Sequence, residues 1–571
     1  MLAKITKPKR GRKPNAKKNQ GEDIITTQDI DSEYENKNKV QSNTNALKFV
    51  QSNGLDQAVL ESYYKIQTED LEAGFLPTHI DDLSLHNAVE NNLHDLFSTD
   101  FYDVMKRPKL QLSDSRAYDN SFKLDNDLEF QFNDSKSTIL EPCHALNYPF
   151  DELNLRNGFV FNTGGLPLTM AWCPLKYGNL RYLFISIVDK NATISEFSDN
   201  KSLLTVLEVS SETGHLQINK QIILDYLAKE IEFSFVSAST STLLKLTLSS
   251  GSVEVWKIDF EFFANPEIIN TKPAIYTLES GNLTFTIPNN QLLITTSAFT
   301  STKTFVFGTN HGYIGQFSID SQKLDYLIFA GIPAITHIKT AFPTQPRDDF
   351  LTSFVEAADF SNYLIRLPIP NKKSCLINVL KTYDIPTNNK ELQFDKNSVH
   401  LNNLNSFLNI EWPITIKKIS LDNPNNVTKF KIANDDDINC LANQIYYEDG
   451  KVSDGFILLT GHTNGSIRLS NYLNLLTNTE KRVQVSTLKL LQLNKSVTTD
   501  TKYWLDLCSQ IDKIGEMAAV KSNSKQSSIG RTKELRNVNP KELCPLKLSM
   551  LENTVASIWG NGLLIIEHLT L

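Results

Sequence analysis

The sequence lacks the features that define several common protein classes. It has only six cysteines in 571 residues, and none lies close to another, so neither a disulfide framework nor a zinc site is indicated. Its apolar runs, such as residues 182–188, are far shorter than the ~18 residues that cross a bilayer. We therefore expect a soluble protein that is not secreted, with no membrane association and with reduced cysteines in its core.

Sets of residues typical of catalysis are missing as well. The ten histidines show no metal-ligand spacing, and we recognise no arrangement of nucleophile, base and orienting residue. Gly308, Gly312 and Gly315 have the spacing of a nucleotide loop, but no helix follows them, so we interpret them as a strand hairpin. The acidic triplet at residues 435–437 lacks calcium-loop spacing and is interpreted as a solvated loop. We expect no enzymatic activity, no metal and no cofactor.

Basic charge is concentrated at the N-terminus. The first eighteen residues carry eight Lys or Arg and no acid, whereas the other 553 carry 49 basic and 65 acidic residues. A formal net charge of −8 for the whole chain therefore corresponds to −16 outside this segment. The basic run consists of Lys7, Pro8, Lys9, Arg10, Gly11, Arg12, Lys13 and Pro14, followed by Lys17 and Lys18.

The centre of this run has the chemistry of a minor-groove ligand. Gly11 has no side chain, so the backbone can lie on the groove floor while Arg10 and Arg12 extend along it. A·T-rich DNA favours this contact because the guanine amino group is absent and the narrow groove has a more negative potential. The run, bracketed by Pro8 and Pro14, resembles an AT-hook. We predict that these ten residues bind DNA weakly.

The same residues also fit a nuclear localisation signal, because a cluster of Lys and Arg is sufficient for that role. Nuclear import needs positive charge but not a glycine between two arginines, which favours DNA contact. The two interpretations are compatible, and either one places the protein in the nucleus.

The composition divides the chain into four parts. Residues 1–18 form the basic segment, and residues 19–45 are polar with few aliphatic side chains, as in a disordered linker. Residues 46–154 contain some helix-like apolar spacing before residue 97 and are predicted to be a partly helical connector. From residue 155 to residue 571, short apolar runs alternate with Gly, Asn, Ser and Asp turns, which predicts an all-β body.

A strand–turn–strand unit recurs in this body. The copies cover residues 182–197, 243–256, 304–317, 456–470 and 554–566. Their aligned turn residues are Ala192, Gly251, Gly312, Gly465 and Gly562, so the first two gaps are 59 and 61 residues. The gap of 153 residues before Gly465 leaves room for a weaker copy at residues 359–367 and for another that the pattern does not locate.

A period of about 60 residues predicts a β-propeller, whose blades bury their faces against one another. Val253, Val255 and Trp256 after the turn at Gly251 resemble the second-to-third strand hairpin of a WD repeat, with side chains packed between blades. The 417 residues hold roughly seven blades, although Gly-His and Trp-Asp dipeptides are mostly absent. We expect a WD40-like propeller of seven degenerate blades after a largely disordered N-terminal extension. Two β-sandwiches would not explain similar turns 60 residues apart.

One segment resembles a known family. Residues 161–174, with the sequence FNTGGLPLTMAWCP, are similar to the segment that opens the propeller in WD-repeat subunits of transcription factor IIIC. The combination with a basic N-terminal extension resembles the tau-ninety-one type of subunit of the fungal tau complex. The resemblance implies a non-catalytic scaffold subunit of the RNA polymerase III factor that binds internal promoters of tRNA genes on the B-box side. It also implies other subunits as partners, including a second propeller.

An alternative from another functional class remains open. A chromatin-associated propeller could bind a histone tail or another peptide in its central channel, with the basic segment as a second anchor. Such a site would need acidic or aromatic residues that converge on one face of the propeller. A propeller hydrolase is a third interpretation and has less support, since no catalytic set is visible.

Overall fold

The computed structural model describes residues 102, 105–113, 127–132, 136–149, 157–189, 192, 199–210, 215–234, 240–264, 268–269, 272–280, 283–341, 350–358, 361–368, 378–384, 398–401, 406–411, 415–420, 427–432, 438–448, 451–471, 482–485, 487–496, 502–512 and 541–569. The basic segment, the predicted linker, the helix-like spacing before residue 97, Cys375 and the acidic triplet all lie outside these residues. In the described part, no helix has the length and apolar character needed to cross a membrane.

Five strands precede the first of the repeated four-stranded units described below. They are β1 (Lys109–Leu112), β2 (Leu128–Phe132), β3 (Thr138–Leu140), β4 (Ala145–Asn147) and β5 (Asn157–Asn162). The first four lie in the predicted connector; β1, β2 and β4 pair with strands outside it, and β3 pairs with β2. The connector therefore contributes strands to the edges of the β body.

Seven units with four consecutive antiparallel strands each, numbered here as blades 1 to 7, make up the body, and further strands pair at some of their edges. Blade 1 contains β6 (Leu166–Trp172), β7 (Leu180–Val188), β8 (Ser202–Ser210) and β9 (His215–Leu224). Blade 2 contains β10 (Ala228–Phe233), β11 (Ser241–Leu248), β12 (Val253–Asp259) and β16 (Leu283–Phe285). Between β12 and β16 the chain forms the helix α1 (Phe260–Phe263) and the strands β13 (Ile268–Ile269), β14 (Lys272–Pro273) and β15 (Ile275–Ser280), which are not part of this blade. Blade 3 contains β17 (Ile294–Phe299), β18 (Thr304–Thr309), β19 (Tyr313–Ser318) and β20 (Lys323–Phe329).

The remaining blades follow the same antiparallel order. Blade 4 contains β21 (Ile335–Ala341), β22 (Phe350–Ala357), β23 (Ser361–Pro368) and β24 (Asn378–Asp384). Blade 5 contains β25 (Ser398–Leu401), β26 (Ser406–Glu411), β27 (Thr415–Ser420) and β28 (Val427–Ile432). Blade 6 contains β29 (Ile438–Glu448), β30 (Lys451–His462), β31 (Ser466–Asn471) and β33 (Thr487–Lys495), with β34 (Lys502–Asp512) as a fifth strand. Between β31 and β33, the strand β32 (Arg482–Val485) pairs with the edge of blade 5. Blade 7 contains β35 (Pro545–Leu551), β36 (Thr554–Trp559), β37 (Leu563–His568) and β5.

The first strands of the blades form a closed ring. Each contacts the first strand of the next blade, in the order β6, β10, β17, β21, β25, β29 and β35, and β35 contacts β6 again. Sheets arranged radially around such an inner ring define a β-propeller. The predicted all-β propeller fold and its seven blades are confirmed.

The ring closes through a strand from the start of the body. In blade 7, β5 pairs antiparallel with β37, so that Asn162 lies opposite Leu563 and Asn157 opposite His568. Thr163 Oγ1 adds a hydrogen bond of 2.7 Å to the Gly562 carbonyl, 399 residues away in sequence. Blade 7 therefore depends on both ends of the body.

The segment that resembles the family motif is the junction between the last blade and the first. Its start, Phe161 and Asn162, belongs to β5 in blade 7, whereas residues 166–172 form the innermost strand of blade 1. At the turn between them, a Cβ atom on Gly165 would lie 2.3 Å from the Val188 carbonyl oxygen. Only glycine allows this close approach of two backbones. The segment has a clear structural role as the closure point.

Side chains of each blade pack against both neighbours. Val253 and Val255 contact blade 3 in a cluster with Phe305 and Phe307, whereas Trp256 points to the opposite face and packs with blade 1, for example with Phe184. All are essentially inaccessible to solvent. A strand buried on both faces is apolar on both faces, which explains the nearly continuous apolar runs in the sequence.

The predicted turn residues lie at equivalent hairpins between second and third strands. Gly251, Gly312, Gly465 and Gly562 have φ of 78°, 74°, 87° and 91°, a conformation that favours glycine. The weaker copy at residues 359–367 coincides with the β22–β23 hairpin of blade 4. The copy that the pattern did not locate is the β26–β27 hairpin of blade 5.

Candidate functional site

The predicted DNA-binding residues, 7–14 with 17 and 18, lie outside the described residues. Their contact with DNA stays a prediction. The site that the structure does describe is the central channel of the propeller, whose wall is the ring of innermost strands.

The channel contains a cavity of about 270 Å³. The cavity lies near the ends of β6 and β10, where Trp172 and Phe233 contribute aromatic surface, and Phe299 at the end of β17 adds a third ring. Polar and charged side chains also line it, among them Glu232, Lys339, His400, Asp454 and Lys547. The wall therefore combines apolar surface with several polar and charged groups.

An ion pair within blade 2, between the buried Lys245 and the partly exposed Glu232, also contacts blade 3. Lys245 is completely buried on β11, and its Nζ lies 2.5 Å from Glu232 Oε2. The same carboxylate oxygen accepts the backbone N–H of Phe299 at 3.1 Å, and the ammonium lies 4.9 Å from the Phe299 ring centre. Burial raises the pKa of Glu232, but the ammonium groups of Lys245 and Lys339 outweigh it and hold this pKa below its ordinary value.

A second glutamate on β10 makes a similar connection. Glu230 Oε1 accepts a hydrogen bond from Thr296 Oγ1 at 2.7 Å, and Oε2 accepts the Ser297 N–H at 3.0 Å. Thr247 Oγ1 donates to Oε2 from within blade 2 at 2.9 Å. The two half-buried carboxylates thus fix the position of β10 against β17, which is a structural use of charge.

Two further lysines belong to the channel wall. Lys339 Nζ on β21 lies 3.9 Å from Glu232 Oε1, beyond hydrogen-bond distance, and its side chain is 40% exposed. Lys547 Nζ on β35 donates to Thr169 Oγ1 at 3.1 Å. Burial, reinforced by the charge of Lys339, lowers the pKa of Lys547 to about 7, although Glu230 and Glu232 act in the opposite direction. An ammonium with this pKa can gain or lose its proton near neutral pH.

The described residues show no metal centre. No group of three or more His, Cys, Asp or Glu in this part of the chain could hold a metal ion. The glycines with nucleotide-loop spacing lie in the β18–β19 hairpin, with Gly312 at its turn, as predicted. Of the five described cysteines, all free, Cys173 and Cys440 are buried core residues as predicted, whereas Cys143, Cys508 and Cys544 are only half-buried.

Sequence reasoning did not identify the channel site. Its residues come from strands separated by up to about 380 positions, such as Thr169 and Lys547. One local signal was available, because Lys245 interrupts an otherwise apolar strand, Leu243 to Leu246 in the buried β11. A charged residue in a fully buried strand is rare unless it is paired, so it indicates an internal partner.

Comparisons with known proteins give matches only at the level of solved structures. No protein family model matches the chain, and no curated protein sequence does either. One similar solved chain comes from the crystal structure of BBS1N in complex with ARL6DN, soaked with lead. It is 13% identical to this protein, with a TM-score of 0.38, and the match covers 71% of this chain and 92% of the solved chain. Another is Raptor from Chaetomium thermophilum, with 8% identity and a TM-score of 0.40, covering 72% of this chain and 28% of the Raptor chain.

Proposed function

We propose that this protein is a non-catalytic, DNA-associated scaffold of the nucleus. The basic segment contacts the minor groove of A·T-rich DNA, and the propeller holds the other members of an assembly. The observation that carries the proposal is the charge distribution: eight cations in the first eighteen residues precede a chain with a net charge of −16. A body with that charge repels phosphates on average, so DNA contact must come from the basic segment.

The propeller supplies the scaffold in this proposal. A closed ring of seven blades is rigid and presents loops from every blade on two faces, which suits it to binding several partners. Within this role, the resemblance of residues 161–174 and of the N-terminal segment favours the transcription factor IIIC assembly of RNA polymerase III. The second propeller of that assembly would be one partner.

The basic segment adds affinity without selecting a gene. Eighteen residues read A·T-rich character but little sequence, because the minor groove presents a degenerate pattern. Linkage to DNA that other subunits already hold raises the effective concentration of the segment to about millimolar, so a weak contact still contributes. The contact should weaken steeply with salt, since it releases counterions from phosphates.

Deletion of residues 1–18 tests the DNA contact. We expect the assembly purified with the truncated chain to bind a promoter fragment more weakly and with a smaller salt slope, because each phosphate contact contributes about −0.9 to that slope. Subunit composition should be unchanged. An unchanged salt slope would refute the DNA contact.

A second variant separates groove binding from nuclear import. Gly11→Val keeps every positive charge but places a branched side chain against the groove floor. We expect normal nuclear localisation and a reduced preference for A·T-rich over G·C-rich duplexes. If Gly11→Val binds both duplexes as the unchanged chain does, the segment serves import alone.

Partner identity tests the scaffold role. Purification of the tagged chain from nuclei should recover subunits of the polymerase III factor in fixed ratio. Recovery of nucleosomes alone would instead favour the peptide-reader alternative. The channel wall carries the acidic side chains Glu232 and Asp454 and three aromatic rings as well as Lys339 and Lys547, so partner identity and not the charge of the wall separates the two functions.

A further inference from the structure

We propose that the segment with helix-like spacing at residues 83–97 docks along the outer strand of blade 3, on a row of apolar side chains called the β20 strip. The strip consists of Leu324, Leu327 and Phe329. The segment has no part in the DNA contact proposed above, and its docking is independent of that contact.

Apolar side chains are exposed along the β20 strip. Leu324 is 37% exposed and Phe329 is 59% exposed, and no other strand whose side chains are described contains two large apolar residues that are exposed. In the register with β19, the three side chains of the strip lie opposite alternate residues, Phe317, Gly315 and Tyr313, and therefore share one face of the blade. Contiguous apolar surface of this kind indicates a contact site.

The outer edge of β20 is open in the described part of the chain. Further strands pair with the outer strands of blades 1, 5, 6 and 7, whereas the described strands add none to blades 2, 3 and 4. An open edge presents backbone N–H and C=O groups, and proteins often cover such an edge with a helix or a loop. In blade 3 the open edge coincides with exposed apolar side chains, which favours an occupant that lies along β20.

The course of the chain identifies the occupant. Tyr102 is completely buried between blades 2 and 3, in the hydrophobic cluster that contains Phe317, and Leu327 packs against the same cluster. The β20 strip therefore adjoins the cluster in which the N-terminal part of the chain is anchored. Only five residues separate Leu96 from Tyr102, and they span at most about 20 Å. The end of the segment is thus held close to blade 3.

The segment matches the strip in chemistry and in length. Its apolar residues recur at helical spacing, in the order Leu85, Val89, Leu93 and Leu96. This spacing places them on one face of a predicted helix, where they cover about 17 Å at 1.5 Å per residue. The β20 strip extends over five residue steps, which is also about 17 Å at 3.3 Å per residue. Docking would remove both apolar surfaces from water.

Weak docking is sufficient because the segment belongs to the same chain. Linkage gives the segment an effective concentration of about millimolar at the strip. A contact with a dissociation constant of ~0.1 mM is then formed in about nine chains out of ten. A reagent that needs the free strip should therefore react about tenfold more slowly than it does with an uncovered strip.

Thiol alkylation at the strip tests the proposal on the full chain. Leu324→Cys places a thiol in the strip, and its reaction with iodoacetamide is followed by mass spectrometry of peptides, so that the native cysteines do not interfere. The comparison chain has, in addition, serine at the four apolar positions 85, 89, 93 and 96. Tyr177→Cys provides the control thiol, at a position that is 62% exposed between β6 and β7 of blade 1.

We expect the thiol at position 324 to react about tenfold more slowly in the chain with the unchanged segment than in the serine chain. The thiol at position 177 should react at the same rate in both chains. Phe329→Cys should show the same difference as Leu324→Cys, and it tests the strip even if Leu324→Cys itself weakens the contact. Equal rates in the two chains at both strip positions would overturn the proposal.

The dependence on concentration distinguishes the segment from a second copy of the chain. Docking within one chain does not depend on concentration, so the tenfold difference should persist after a tenfold dilution. A difference that disappears on dilution would show that a second copy supplies the segment, which would overturn the assignment. Slow reaction at the strip in both chains would show that another part of the protein covers it and would overturn the assignment as well.

Discussion

Replacing Lys245 with methionine is expected to lower the free energy of unfolding by about 3 kcal/mol. The change removes the ammonium 2.5 Å from Glu232 Oε2 and leaves a carboxylate on the channel wall without its main partner. Removal of one partner from a buried ion pair costs roughly 3–5 kcal/mol. The Glu232 side chain is 28% exposed, and Lys339 at 3.9 Å and the Phe299 N–H retain part of the compensation, so the cost belongs at the lower end of this range.

Urea denaturation of the full chain measures this effect as a shift of the unfolding midpoint, followed by tryptophan fluorescence. Lys257→Met is the matched control, since Lys257 lies on the neighbouring strand β12 and is only half-buried. Its midpoint should correspond to a change within about 0.5 kcal/mol, as for most surface substitutions.

A double variant separates the loss of the pair from the loss of packing. Glu232→Met combined with Lys245→Met removes both charges and should be more stable than Lys245→Met alone, because no uncompensated carboxylate remains. The reasoning is refuted if Lys245→Met unfolds at the same urea concentration as Lys257→Met. A double variant less stable than either single variant would refute it too.

Three further predictions concern a turn and two titrating groups. Gly312→Ala should cost roughly 1–3 kcal/mol more than Gly331→Ala in urea denaturation, because both positions have positive φ but only at Gly312 would the new Cβ meet a carbonyl oxygen, at 1.9 Å. Burial lowers the pKa of Lys547 to about 7, so above this pH the unfolded chain binds one more proton than the folded chain. The free energy of unfolding should therefore rise between pH 7 and about pH 10, by at most ~1.4 kcal/mol per pH unit. Lys547→Met should remove this rise. Burial also lowers the pKa of His568 from 6.5 to about 4, so the free energy of unfolding should fall as the pH falls from 6.5 towards 4. Over the same pH range, the melting temperature of His568→Gln should fall by less than that of the unchanged chain. Equal costs for the two glycines, or unchanged pH profiles in either variant, would contradict the respective prediction.

Four of the blades that sequence reasoning located have a glycine at the second hairpin, whereas blade 1 was located with Ala192 at this turn and blade 4 only as a weaker copy without a glycine. In blades 2, 3, 6 and 7 this glycine has positive φ, and the turn can be recognised because few other residues adopt that conformation. Blade 5 was missed: its β26–β27 connection, residues 412–414, reads Trp-Pro-Ile, which has neither a glycine nor the polar turn residues of the other copies. A glycine with positive φ therefore makes a hairpin easy to recognise in the sequence, and a hairpin whose turn needs no such residue is harder to locate.

Strands at the blade edges were not predictable for a different reason. β2 pairs parallel with β34, more than 370 residues later, for example at Glu129 and Lys502, which form an ion pair of 2.9 Å. β1 is a strand because it pairs with β15 on the edge of blade 1. Such short segments take the strand conformation from their partners and have little periodicity of their own. Contacts of the channel charges between blades were hidden in the same way, for example Glu230 with Thr296 and Lys547 with Thr169, whereas Glu232 and Lys245 lie on neighbouring strands of blade 2.

The position of Tyr102 bears on how the basic segment can act. Tyr102 is completely buried in the cluster between blades 2 and 3, and its hydroxyl group hydrogen-bonds Ser234 Oγ at 2.7 Å. The chain is thus anchored to the propeller at this residue. Only 83 residues separate it from Lys18, which limits the reach of the basic segment to ~280 Å even for a fully extended chain.

This limit has a consequence for specificity in the proposed function. A segment that can reach DNA at many positions around its anchor gains affinity from proximity but cannot measure a fixed spacing. If it defined a position on the gene, shortening the segment between residues 19 and 45 would shift the protected region of a footprint by a defined distance. We expect instead that removing about ten of these residues changes DNA affinity by less than threefold, since the effective concentration varies only as a modest power of linker length, and leaves the footprint in place. A footprint displaced by this deletion would show that the basic segment, and not the propeller with its partners, selects the site on DNA.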